Sequence, residues 1–206
     1  MYRTEKAAPR LCLALASAHL AVIVGSSLPG AGQESTFDQS TRAGFAAYRD
    51  GNDAQAEAWL RTALKEAESF PKEDSRLPKA LHNLAMVLSS EGKLSEAEEL
   101  IRRALAIREQ VSGRESEDVA VSLNNLAILL YEQHRYAEAE EALRRVLSID
   151  ARILPDDHKE RRLSLDNYAK VLRKLNKYQE ANRVESTGTA YRPPPKDGLN
   201  VGAAER

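Results

Sequence analysis

The sequence predicts an all-α fold, a solenoid of stacked antiparallel helix hairpins, and three observations carry that prediction. The stretch "ALHNLAMVLSSEGKLSEAEELIRRALAI", Ala80 to Ile107, returns 42 residues later as "SLNNLAILLYEQHRYAEAEEALRRVLSI", Ser122 to Ile149, with thirteen of twenty-eight positions identical. Within the first copy, Leu81, Leu84, Ala85 and Leu88 fall at i, i+3, i+4, i+7, one face of a helix. Aromatics make up only 5% of the chain, and the middle is rich in Ala, Leu, Glu and Arg, which favour helix over strand. One hairpin cannot bury its apolar stripe alone; a row of them can.

In chain order, residues 1–32 read as an address. "MYRTEKAAPR" is basic, "LCLALASAHLAVIVG" is almost wholly apolar, and "SSLPGAGQ" is small and helix-breaking. These are the three parts of a secretory signal peptide. The alternative is a retained N-terminal anchor over 11–28, because a membrane span needs about 20 apolar residues. A buried helix of the fold fits less well, since the run has no polar face. The single cysteine, Cys12, lies in this segment, so a cleaved chain has no thiol for a disulfide, a zinc ligand or a nucleophile. The expected localisation is therefore exported, in a bacterial periplasm or secreted, with inner-membrane anchoring as the alternative.

The repeats occupy residues 37–186, in units of about 39–79, 80–120, 122–162 and 164–186. Leu81, Leu123 and Leu165 are in register, as are Asn83, Asn125 and Asn167, and Ala85, Ala127 and Ala169. A weaker first copy precedes them at a spacing of 41, matching Gly51 to Gly92, Ala56 to Ala97 and Leu60 to Ile101. Gly92 breaks the hairpin, and His134 and Asn176 take its place later. Asn tolerates a left-handed turn; His does so less readily. Ser95 and Glu98 have the spacing of a capping box for the second helix. The paired small residues Ala85 with Ala97 and Ala127 with Ala139 let two helices approach to about 8–10 Å. After Ala181 the apolar series fades into "NRVESTGTAYR", and residues 187–206, with "RPPPK", read as a disordered tail.

These residues resemble a tetratricopeptide repeat, in the long 42-residue variety typified by kinesin light chain. The Leu-Asn-Asn-Leu-Ala of Leu123–Ala127, the Tyr-Ala-Glu-Ala-Glu of Tyr136–Glu140 and the Arg-Val-Leu-Ser-Ile of Arg145–Ile149 follow its pattern. The likeness is strong over 80–175, fair over 39–79 and absent elsewhere. "EQVSGRESEDVA" and "ARILPDDHKERR" resemble that family's long loops between units. The resemblance implies a right-handed solenoid and a noncatalytic binding scaffold.

The composition excludes several functions. A net charge of −1 argues against a nucleic-acid partner. His19, His82, His134 and His158 have no metal-ligand spacing, and no phosphate loop, dinucleotide fingerprint or nucleophile elbow occurs. The adjacent carboxylates of "EAEEL" and "EAEEAL" read as a solvated outer face beside Arg102, Arg103, Arg144 and Arg145. No cofactor, metal or catalytic residue is expected; an envelope enzyme with a cryptic site is the least supported alternative.

The expected partner is a protein or peptide. The first helix of each unit lines the concave side of such a solenoid. Positions between the core leucines then face the groove: His82, Met86 and Ser89; Asn124, Ile128 and Tyr131; Asp166, Lys170 and Arg173. Met86, Ile128 and Tyr131 make an apolar strip, and Lys170 with Arg173 suits an acidic partner. By resemblance, Asn124 faces a bound peptide, while the second Asn, Asn83 or Asn125, is a structural hydrogen-bonder. The sequence leaves the oligomeric state open.

Overall fold

A computed structural model describes residues 35–71, 74–156 and 158–193. The expected signal or anchor segment, and all of the expected tail beyond Pro193, lie outside the described residues. Among the described residues there are eight α-helices and no strand. They are α1 (Thr36–Arg49), α2 (Asp53–Ala67), α3 (Arg76–Ser90), α4 (Leu94–Ser112), α5 (Glu117–Glu132), α6 (Tyr136–Ile153), α7 (Lys159–Lys174) and α8 (Tyr178–Thr187), with a 3-10 turn, Gly188–Ala190, after α8. None of these helices is long and apolar enough to cross a membrane.

The helices pair in sequence into four hairpins that pack side by side, as the periodicity predicts. Each hairpin turns on one residue with positive φ: Gly51 (77°), Gly92 (79°), His134 (61°) and Asn176 (59°). His134 Nδ1 lies 2.7 Å from the Tyr136 hydroxyl, and the Tyr178 hydroxyl donates to Asn176 Oδ1 at 2.9 Å. A local hydrogen bond thus accompanies each non-glycine residue held in this costly conformation. The core is continuous along the array. Leu81, Leu84, Leu88, Leu130, Leu143 and Leu172 are each at most 1% exposed. The small-residue contacts are formed: Ala85, Ala97, Ala127 and Ala139 are buried. The first hairpin has Gly44 in place of Ala85. A Cβ there would meet Leu60 Cγ at 2.7 Å, so α1 and α2 approach too closely for alanine without movement.

Four sequence expectations are corrected. The units begin earlier than the Leu-Asn-Asn-Leu match suggested: α3 starts at Arg76, α5 at Glu117 and α7 at Lys159. That match starts inside each first helix. The expected long loops are mostly helix; α4 runs to Ser112 and α6 to Ile153, leaving links 113–116 and 154–158. The Ser95–Glu98 capping box does not form. The N-cap of α4 is Lys93, with no side-chain cap bond, so Ser95 sits inside the helix. Real side-chain caps are Ser35, Asn52 and Ser116, which accept from the backbone N–H of Asp38, Gln55 and Val119.

The fourth correction concerns the C-terminal end. The apolar series does not stop at Ala181: Val184 is 1% exposed and Tyr191 is 4% exposed. Residues 187–193 therefore belong to the packed structure, and the expected tail shrinks to the residues beyond Pro193. Tyr191 lies 6.0 Å from the Tyr168 ring, and both hydroxyls donate to Glu180 Oε1, at 2.9 and 3.0 Å. Burial, and the Glu180 carboxylate accepting its proton, push the Tyr191 hydroxyl up to about 12.

Candidate interaction face and unit junctions

The expected groove residues all sit on first helices, α3, α5 and α7, but not equally in the open. Asp166, Lys170 and Arg173 are exposed. His82, Met86, Ser89, Asn124, Ile128 and Tyr131 are half-buried. The Asn-Asn pair explains part of that burial. Asn125 Nδ2 lies 3.1 Å from His82 Nδ1, and Asn167 Nδ2 donates to Asn124 Oδ1 at 3.2 Å. Each second Asn reaches back to the first position of the preceding unit. The second Asn is thus a structural hydrogen-bonder, and His82 and Asn124 are partly engaged by it. Among the described residues no following unit supplies an amide to Asp166.

Tyr131 stands at the middle of this face. Its ring meets Tyr136 edge-on at 5.3 Å, and Lys174 Nζ lies 5.9 Å from its centroid. Arg173 donates to both Glu185 oxygens at 2.7 Å, so its charge is already paired. Lys170 is exposed as well and makes no ion pair among the described residues.

A second set of residues, unforeseen from the sequence, joins the second helices. The residue just before each of α4, α6 and α8 is a cation that reaches back one unit to a glutamate. Lys93 meets Glu57 at 2.7 Å, Arg135 meets Glu98 at 2.6 Å, and Lys177 meets Glu140 at 2.7 Å. The expectation of a solvated carboxylate face is corrected at Glu98 and Glu140, while Glu99, Glu138 and Glu141 are exposed. The Glu98 side chain is 12% exposed and that of Glu140 is 11% exposed, each covered by the next hairpin's turn. At Glu57 the Lys93 hydrogen bond outweighs burial and holds the carboxyl below its usual range. At Glu98 burial works upward, but hydrogen bonds from Gln133 and Arg102 overcome it and the net direction is down. The signal was present in the sequence as two series in the repeat's own register.

A third position, facing the next unit's first helix, changes chemistry along the array. Ala67 and Ala80 are both buried. One unit on stand Arg108 and Ser122, joined by Nη1–H···Oγ at 2.7 Å, with burial lowering the Arg108 pKa. One further unit on stand Asp150, 3% exposed, and Ser164, 5% exposed. Beside them Arg161 is 1% exposed; its Nη2 donates to the Tyr191 carbonyl at 3.2 Å and its Nη1 lies 3.2 Å from Asp156 Oδ1. Burial raises the Asp150 pKa and lowers that of Arg161, so each charge costs desolvation.

A cleft of about 560 Å³ opens between α4 and α6 over Leu123, Leu126 and Leu130 of α5. None of the nine expected groove residues lines it, so it belongs to the second-helix side. Its rim charges are already held in ion pairs: Arg102 with Glu98, Glu138 with Arg135, and Arg145 with Glu109 at 2.5 Å. Among the described residues there is no group of three or more His, Cys, Asp or Glu placed to hold a metal ion.

The hairpins, the left-handed turns and the register of the junctions define a repeat family, and a model of the tetratricopeptide repeat matches residues 39–110, 76–152 and 118–185. The chain belongs to the tetratricopeptide repeat family. Solved structures agree on the fold. A Podospora anserina protein described as a kinesin light chain with nearly identical repeats superposes with a TM-score of 0.68 at 22% identity, covering 75% of each chain. BtubC from P. vanneervenii gives 0.66 at 22% identity, over 82% of this chain and 71% of that one. Aspartyl phosphate phosphatase F from Bacillus subtilis gives 0.64 at 16% identity, over 77% of this chain and 41% of that one. No curated protein matches. The tetratricopeptide repeat read from the sequence is therefore the family found.

Proposed function

We propose that this tetratricopeptide repeat protein is a noncatalytic scaffold that holds a peptide or helix of a partner protein across the first-helix face. The observation that carries the reading is the half-open apolar strip of Met86, Ile128 and Tyr131, flanked by polar His82, Ser89 and Asn124 and ending at exposed Asp166 and Lys170. Half-buried side chains of this kind offer area without a large ordering cost, and the polar neighbours fix orientation. A selection of displayed peptides on the folded chain tests it. Rebinding to a Met86→Ala, Tyr131→Ala variant of unchanged helicity should weaken at least tenfold. Peptides that bind both proteins equally would place recognition elsewhere.

The basic, apolar and small-residue succession over residues 1–32 supports an exported scaffold, with membrane anchoring through 11–28 as the second reading. Mass spectrometry of the protein recovered from the cell envelope separates the two. Removal of the segment takes roughly thirty residues off the 22.8 kDa chain; an anchored protein keeps its full mass.

A further inference from the structure

The face that each second helix turns toward the preceding unit has the same four positions throughout. In the second unit they are Lys93, Glu96, Leu100 and Arg103, and three of them form ion pairs with the first unit: Lys93 with Glu57 at 2.7 Å, Glu96 with Arg61 at 2.6 Å and Arg103 with Glu68 at 2.8 Å. In the third unit they are Arg135, Glu138, Ala142 and Arg145. Arg135 meets Glu98 at 2.6 Å, Glu138 lies 3.9 Å from Arg102, and Arg145 meets Glu109 at 2.5 Å. The pattern is cation, anion, apolar, cation.

In the first unit the same positions are Asn52, Gln55, Trp59 and Thr62. All three charges are gone. The apolar position, partly buried at Leu100 and 7% exposed at Ala142, carries the chain's single tryptophan, 42% exposed. A terminal unit that faces only water does the opposite: it gains charge and sheds large apolar side chains. The C-terminal end covers itself with Tyr191; the N-terminal end presents an aromatic anchor among uncharged amides and a hydroxyl.

We propose that this face of α2 is an interface with a second copy of the chain, the two faces meeting about a two-fold axis. Such a contact sets each patch against itself, so a charge near the axis would meet its own like. A face whose equivalents are charged in the second and third units, and which is itself neutral, fits that geometry. Asn and Gln carry both donors and acceptors and pair with themselves. Trp is the residue type most enriched at the centre of such contacts. Head-to-tail stacking would lack the ion pair that joins the units inside the chain: Asn182 stands where Glu57, Glu98 and Glu140 receive the next unit's cation, and Asn52 stands where that cation would be.

The test uses the purified full chain, sedimentation at several concentrations, and the emission of Trp59, which reports on this face alone. The expected result is a concentration-dependent doubling of the 22.8 kDa mass, with tryptophan emission shifting to the red on dilution. Trp59→Glu should abolish the dimer, and Gln55→Lys, which keeps the reporter, should weaken it at least tenfold. Both positions are exposed, so circular dichroism should show unchanged helicity. A chain that stays monomeric, whether its emission is red throughout or blue and insensitive to dilution, overturns the proposal; the second outcome would mean that another part of the same chain covers Trp59. Association that persists in both variants also overturns it.

Discussion

The junction between the first two units and the junction between the last two use the same helix positions and opposite chemistry. At the first, Ala67 meets Ala80 in an apolar cluster, with Phe37 and Phe70 edge-to-face at 6.4 Å and the ion pairs kept to the outer side. At the last, Asp150 and Ser164 replace the alanines, Arg161 is buried beside them, and Tyr191 closes the end. The periodic backbone accepts either solution, because each unit needs only a complementary neighbour. The costs differ. An apolar junction gains from every buried methyl, whereas a buried ionic one must first offset desolvation. The polar junction therefore depends on its full set of partners, and the apolar one does not.

The largest expected effect is at the closing residue. Tyr191→Ala removes a buried aromatic, its contact with Tyr168 and its bond to Glu180, and should cost about 3–5 kcal/mol. Hydrogen exchange should show α7 and α8 losing protection while α1 to α4 keep theirs. A loss under about 1 kcal/mol would mean the last junction stands without its closure. The middle junction gives the next test. Ser122→Ala strips Arg108 of its side-chain acceptor and should cost about 1–3 kcal/mol in urea titration. Arg108→Met with Ser122→Ala copies the apolar junction and should be neutral or stabilising by about 1–4 kcal/mol. If the double variant is less stable than the single one, the charge at this junction contributes more than its burial costs.

Much of this was legible in one sequence. The 42-residue period, the helical spacing of Leu81, Leu84 and Leu88, and the Gly51, Gly92, His134, Asn176 series obey rules local to each hairpin, and the structure keeps them. Unit boundaries were misplaced because the most recognisable residues sit inside the first helix. The links between units were missed for a different reason. Glu98 and Arg135 are 37 residues apart, and nothing local distinguishes them from the solvated Glu–Arg pairs around them. Arg161 is the hardest case: where the third unit has Val119, the fourth buries a guanidinium, and no periodic rule anticipates a charge in an apolar slot. Of the candidate face, the helices that carry it were legible, but not the amide bonds that partly occupy His82 and Asn124.

Acid separates two kinds of carboxyl at the junctions by sign. Glu57 and Glu98 hold their protons more weakly folded than unfolded, so their contribution is present above the unfolded value of about 4.5 and is lost as pH falls through their lower folded values. Asp150 binds its proton more tightly in the fold. Its contribution has the opposite sign, favouring the folded state on the acid side and fading as pH rises through its raised folded value. Glu98→Gln should cost about 1 kcal/mol at neutral pH and flatten the acid limb of the stability curve. Asp150→Asn should steepen it, since the opposing group is gone. Two curves of the same slope would mean that neither carboxyl titrates differently in the two states.

The smallest effect lies in the hairpin turns, where the first two units use glycine and the last two do not. Gly92 has a φ of 79°, and a Cβ there would meet nothing within 4 Å, so Gly92→Ala isolates the backbone term and should cost about 1 kcal/mol. His134→Gly reverses that term but frees the unfolded chain by about 0.4–1 kcal/mol and forfeits the contact with Tyr136. The net change should stay within about 0.5 kcal/mol. The Tyr136→Phe background sharpens the reading. With the hydroxyl absent, His134 keeps its strain and loses its partner, so His134→Gly should be more favourable there by about 0.5–1 kcal/mol. A coupling of zero would mean that the side-chain bond does not offset the backbone cost, and that the imidazole sits at this turn for a reason outside the hairpin.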